Sequence, residues 1–128
     1  MNPASQLGQR ILPMLQGWAG RLLAEYPALG VKVLDLGRDG LALECTLPDP
    51  APDMPERVTL AVTLRDREGT PTIQSAEVVW GHPSGHIEAQ IEPPCGELTP
   101  ELIEQVADGL PELFAALRQA IRRGRPPG

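Results

Sequence analysis

Between Val31 and Ile91 the apolar residues of this chain recur at every second position, whereas on both sides of that stretch they recur every third or fourth. A period of two buries one face of a strand and a period near 3.6 buries one stripe of a helix, so the middle is predicted to be sheet and the flanks helical. Val31 to Leu36 reads as a first strand, and the turn Gly37-Arg38-Asp39-Gly40 follows, its Asp-Gly pair suited to the positive φ of a hairpin. Leu41, Leu43, Cys45 and Leu47 form the apolar face of a second strand, and Val58, Leu60, Val62 and Leu64 that of a third. Arg67 to Pro71 turn the chain into a fourth strand, Ile73 to Trp80, in which Ala76, Val78 and Trp80 share a face. In a short fifth strand Ile87, Ala89 and Ile91 point one way while His86, Glu88 and Gln90 point the other. Residues 48 to 55 hold four prolines and form an extended loop, because proline cannot donate to a ladder.

The first helix is expected from about Ser5 to Glu25, with Leu7, Ile11, Leu15, Trp18 and Leu22 as its stripe. Pro13 removes a backbone bond, which predicts a kink or a start near that residue. After Ile91, Thr99-Pro100-Glu101 is a start signal: a hydroxyl acceptor, a proline suited to the first helical position, and an acid at the positive dipole end. Leu102, Ile103, Val106 and Leu110 begin a stripe that Leu113, Phe114, Leu117 and Ile121 resume. Gly109 and Pro111 between them predict two helices, the glycine capping one and the proline opening the next. The fold class is therefore α+β: an N-terminal helix, a five-stranded antiparallel meander, and two C-terminal helices packed on one sheet face. Residues 1–124 form a single domain and 125–128 a C-terminal tail. Exposed edges are expected at the strand before Pro48 or at the fifth strand, and the oligomeric state is left open.

At 128 residues the chain has room for one core without staples. It is acidic, with a net charge of −6, and the charge is uneven. Residues 1 to 117 carry all 17 acidic and seven basic side chains, while the last eleven carry Arg118, Arg122, Arg123 and Arg125 and no acid. An acidic body repels a polyanion, which argues against nucleic acid as partner, and arginines at the end of a helix complement its dipole. No apolar run suggests a membrane span or leader, so a cytoplasmic protein is expected, with Cys45 and Cys95 as free thiols.

Phosphate-loop, dinucleotide and nucleophile-elbow motifs are absent, and no cofactor is expected. His82 and His86 flank a turn near Glu88 and Cys95, but their spacing matches no established zinc pattern, so no metal is assigned. Cys45 alternates with core residues and reads as a small buried hydrophobe. Cys95, between Pro94 and Gly96 before the Thr99 helix, is the alternative nucleophile, since a helix N-terminus lowers a thiol pKa.

Several local signals resemble the ubiquitin-conjugating enzyme fold and its non-catalytic RWD relatives. Arg21-Leu22-Leu23-Ala24-Glu25 leading into Val31-Lys32-Val33 resembles that family's first helix and strand, and Pro48 to Pro55 its loop between the second and third strands. His82-Pro83-Ser84 resembles the His-Pro-Asn turn, and Thr99-Pro100 the start of the following helix. Ser84 stands where the family has asparagine, the Tyr-Pro-x-x-Pro element is missing, and matching Gly85-His86-Ile87-Glu88 to Gly-x-Ile-Cys places Glu88 at the nucleophile's position. The resemblance thus implies an inactive variant that binds another protein. The binding residues expected are Pro50, Pro52 and Met54 in the proline-rich loop, with His82, Pro83, His86 and Glu88 at the turn. Thioester transfer through Cys95 is the alternative. The same order of elements also resembles small acidic secretion chaperones and immunity proteins.

Overall fold

The computed structural model describes residues 3–49, 55–81, 86–91 and 96–124. Among them α1 (Pro3–Glu25) leads into β1 (Gly30–Asp35), a single 3₁₀ turn (Gly37–Asp39), β2 (Gly40–Thr46), β3 (Arg57–Arg67), β4 (Thr70–Trp80), β5 (His86–Ile91), β6 (Gly96–Glu97) and α2 (Pro100–Gly124). The strands form an antiparallel sheet in the order β1-β2-β3-β4-β5, with the two-residue β6 paired to the start of β4. The meander is as the alternation predicts. Its edges are β1 and β5, so the strand before Pro48, here β2, is interior and not an edge.

One face of the sheet is apolar in every row: Leu41, Leu43 and Cys45 from β2, Val58, Leu60, Val62 and Leu64 from β3, Ile73, Ala76, Val78 and Trp80 from β4 are all buried. Both helices lie on that face, α1 over β1 and β2 and α2 over β3 to β5. Between them Trp18 stacks on Phe114 with centroids 4.7 Å apart, and Arg10–Glu104 and Arg118–Glu25 pairs bridge the helices at 2.9 and 2.7 Å. No helix among the described residues is long and apolar enough to cross a membrane.

The C-terminal segment is one helix, not two. Its buried positions, Leu102, Ile103, Val106, Ala107, Leu110, Leu113, Phe114, Leu117, Ala120 and Ile121, keep a three-four spacing straight through Pro111. An interior proline costs about 3 kcal/mol, which burying two or three leucines offsets. Gly109 is no cap: a Cβ there would lie 3.0 Å from Ile91 Cδ1, so the glycine lets α2 approach β5. In the same way α1 runs unbroken from Pro3, ten residues ahead of the exposed Pro13. The predicted start of α2 holds, with Leu102 N–H donating to Thr99 Oγ1 at 3.2 Å. The turn predicted at Arg67 to Pro71 shrinks to Glu68 and Gly69, both at positive φ, as a two-residue hairpin requires.

Candidate functional site

Of the residues singled out for binding or chemistry, Pro50, Pro52, Met54, His82, Pro83 and Cys95 lie outside the described residues. His86 and Glu88 are described, and a bulge separates their roles. Ala89 faces Val78 across the ladder, whereas Ile87 faces Val79, so Glu88 is an extra residue on β5. That insertion reverses the expected alternation. Ile87 leaves the core side and is 48% exposed, and the Glu88 side chain turns inward to 17% exposure. There it accepts a hydrogen bond from Trp80 Nε1 at 3.2 Å and pairs with Arg123 at the end of α2. His86 stays in solvent, its side chain 77% exposed and its Nε2 3.9 Å from Glu88. The position that the family resemblance matches to a nucleophile thus holds a carboxylate that ties α2 to the sheet. Arg123 and Arg118, read from sequence as dipole complements, each hold an acid on another element. Among the described residues no three His, Cys, Asp or Glu side chains converge on one point.

Cys45 is buried between Leu43 and Leu47, as its place in the alternation predicts. Burial pushes its thiol up from 9.0 to about 12, with the charge of Glu44 adding to the effect. The thiolate is the reactive form, so Cys45 is expected to resist alkylation in the folded protein and to react once denatured. The sign of the linkage follows. Above pH 9 the unfolded chain loses this proton and the folded chain keeps it, so stability from this group is intact below pH 9 and declines toward about pH 12. The limiting slope is about 1.4 kcal/mol per pH unit. Urea midpoints on either side of pH 9, compared between wild type and Cys45→Ala, check this: the variant should lack that share of the decline.

The opposite face of the sheet carries neither helix. The pairing register arranges it in rows: Lys32, Glu44, Thr59, Val79, Ile87; then Leu34, Ala42, Ala61, Glu77, Gln90; then Leu36, Gly40, Thr63, Ser75. Its middle, on β2 and β3, is made of Gly40, Ala42, Thr59, Ala61 and Thr63, with Glu44 at one end, 3.7 Å from Arg57. Lys32, Leu34 and Leu36 stand on one side, and Glu77, Val79, Ile87 and Gln90 on the other. Because short side chains lie between longer ones, this face reads as a shallow trough along the strands. Ala42 is only 4% exposed although no described element covers that face, because its short side chain lies below its neighbours. Leu36 and Ile87, each 48% exposed, are two of the three large hydrophobic residues exposed among the described ones. Thr63 and Ser75 hydroxyls hydrogen-bond across the floor. Sequence alternation marked these positions as polar or small and passed over them, since no strand read alone shows that its small residues adjoin those of its neighbour.

A second concavity, of about 450 Å³, lies between the flank of α1 at Ser5, Gly8, Leu12 and Gln16 and the turn at Gly37 and Arg38. Comparison with protein-family models, curated proteins and solved structures returns no match to the chain.

Proposed function

We propose that the protein is a small non-catalytic binding module that receives a helical segment of a partner protein in the trough on its uncovered sheet face. The observation that carries this reading is the row arrangement: Gly40, Ala42, Thr59, Ala61 and Thr63 on the two middle strands, with Leu34, Leu36, Val79 and Ile87 on either side and the polar Lys32, Glu44, Glu77 and Gln90 among them. Three strand spacings separate β1 from β4, about 14 Å, which admits a helix about 10 Å across. The small floor lets that helix approach the sheet closely, and Leu34 and Leu36 on the β1 side and Val79 on β4 supply apolar contact at its sides. The engagement of Glu88 with Trp80 and Arg123 supports a structural role where the ubiquitin-conjugating resemblance places the nucleophile. An RWD-like adaptor and a secretion-chaperone-like protein are both compatible with such a docking face, and the acidic composition favours a protein partner in the cytoplasm over nucleic acid.

A photo-crosslinking side chain at position 61, compared with one at Glu112 on the exposed side of α2, tests the reading. Position 61 should give a discrete adduct with one protein that the control lacks. Ala61→Glu should weaken binding of that protein at least about tenfold, while its repulsion from Glu77 across the ladder lowers stability by no more than about 1 kcal/mol. Undiminished binding by Ala61→Glu, or adducts only from the control, would remove the trough as the docking site.

A further inference from the structure

The free side of β1 is an edge ready to pair. Leu36 N–H donates to Gly40 O at 2.9 Å, in the same register that matches Gly30 with Thr46 and Asp35 with Leu41. Antiparallel ladders alternate bonded and non-bonded pairs, so residues 30, 32, 34 and 36 bond to β2, and Val31, Val33 and Asp35 turn their N–H and C=O groups away from the sheet. No described element pairs with that side. Edge strands are commonly guarded by prolines, bulges or several charges, and β1 has no proline, a regular register and two charges of opposite sign, Lys32 and Asp35.

What this edge fits best is itself. An antiparallel twofold with Val33 opposite Val33 of a second copy sets Val31 against Asp35, and all three outward residues of each strand bond, giving about six new hydrogen bonds. On the outer face Lys32 then lies opposite Leu34, and the exposed Leu36 opposite Gly30, which has no side chain to oppose it. A shift by one residue is forbidden, because it would join the core face of one copy to the outer face of the other. A shift by two in one direction sets Lys32 against Lys32. In the other direction it draws in Gly37, which at φ 60° has already left the strand.

The helical layer agrees. α1 lies over β1 and β2, so the two α1 helices of such a pair are separated by two strand spacings, about 10 Å, a normal helix packing distance. One flank of α1 is occupied by α2 through Arg10, Trp18 and Glu25. The other presents Leu12, Gln16, Ala19 and Leu23 at three-four spacing, and Leu23 is 44% exposed. Because α1 runs antiparallel to its own β1, the twofold brings Leu23 of one copy toward the concavity beside Gly8 and Leu12 of the other.

We propose that the protein is a twofold homodimer in which β1 pairs with β1 across Val33, continuing the sheet through both copies, and α1 packs on α1. This goes beyond the docking face and does not depend on it. Light scattering and sedimentation of the full chain are expected to give twice the 13.8 kDa chain mass. Val33→Pro removes an outward N–H and alters a half-buried side chain but leaves the bonds to β2 in place, so it should raise the dissociation constant at least about tenfold while the circular dichroism is retained. Leu23→Glu should do the same through the helical layer. Ala61→Glu should leave the dimer intact, which separates failure of this proposal from failure of the docking face. Amide exchange on the wild type decides independently of any variant: Val31, Val33 and Asp35 should be protected and should lose protection on dilution. A monomer at all concentrations, or a dimer in which those three amides exchange freely, overturns the proposal.

Discussion

Gly40→Ala is expected to destabilise the protein by about 4 kcal/mol, enough to lower the melting temperature by more than about 10 °C. Gly40 opens β2 with φ 122° and ψ −149°, a region open in practice only to glycine. The strain is not the larger part. A Cβ at this position would lie 1.9 Å from the carbonyl oxygen of Val62 and 3.1 Å from Thr63 Cα, both backbone atoms of the neighbouring strand. No rotamer change relieves that contact, so β2 must part from β3 at the row that Gly40 shares with Thr63. Stability is only about 5–15 kcal/mol in proteins of ordinary size, so this one methyl group removes a large share of it. The control is Gly37→Ala, three residues earlier. Gly37 also has positive φ, at 60°, but nothing lies within 4 Å of its added Cβ, so that change should cost only about 1 kcal/mol. Thermal melts of the two variants check the difference, and equal losses would show that conformation alone matters at Gly40.

Trp80→Ala is the second large effect, at about 3–5 kcal/mol. Trp80 is 3% exposed at the end of β4 and holds three things at once. Its indole edge lies against Leu47 and the last residue of α2, so close that a Cβ on Gly124 would come within 2.6 Å of Trp80 Cη2. Its Nε1 donates to Glu88, which in turn holds Arg123. Removing the ring leaves a cavity, leaves a half-buried carboxylate one donor short, and frees the final turn of α2. Trp80→Phe is the graded comparison. It loses the donor and the outer edge of the indole but keeps a six-membered ring in the core, so about 2–3 kcal/mol is expected. Urea unfolding measures both values. Amide exchange in the last turn of α2 should rise strongly in the alanine variant and slightly in the phenylalanine variant. Unchanged exchange in Trp80→Ala would show that α2 is not anchored through this ring.

Much of the fold was legible because it depends on neighbours along the chain. The Thr99 cap, the burial of Cys45 and the shared face of Ala76, Val78 and Trp80 all follow from spacing within one element. Where reading by spacing failed, a residue from elsewhere in the chain supplied the reason. Gly109 signals a helix end when read alone, and it is a contact surface once Ile91 lies against it. Glu88 alternates correctly with Ile87 and Ala89 until β4 imposes a register with one residue to spare. The candidate site was less legible than the fold, because the trough belongs to no single strand. Ala42, Ala61 and Thr59 become one floor only through pairing across β2 and β3.

The sequence by itself determined the α+β class, the order of helix, meander and helical segment, and the core residues of every element but the fifth strand. Each of those depends on a period of two or 3.6 that the chain carries locally. Only the tertiary structure decided that α2 is continuous, that Glu88 is a fastening, that β1 and not β2 is an edge, and that small side chains line one uncovered face. These depend on register and on packing between distant segments, and a register is a relation between two strands that neither strand contains alone.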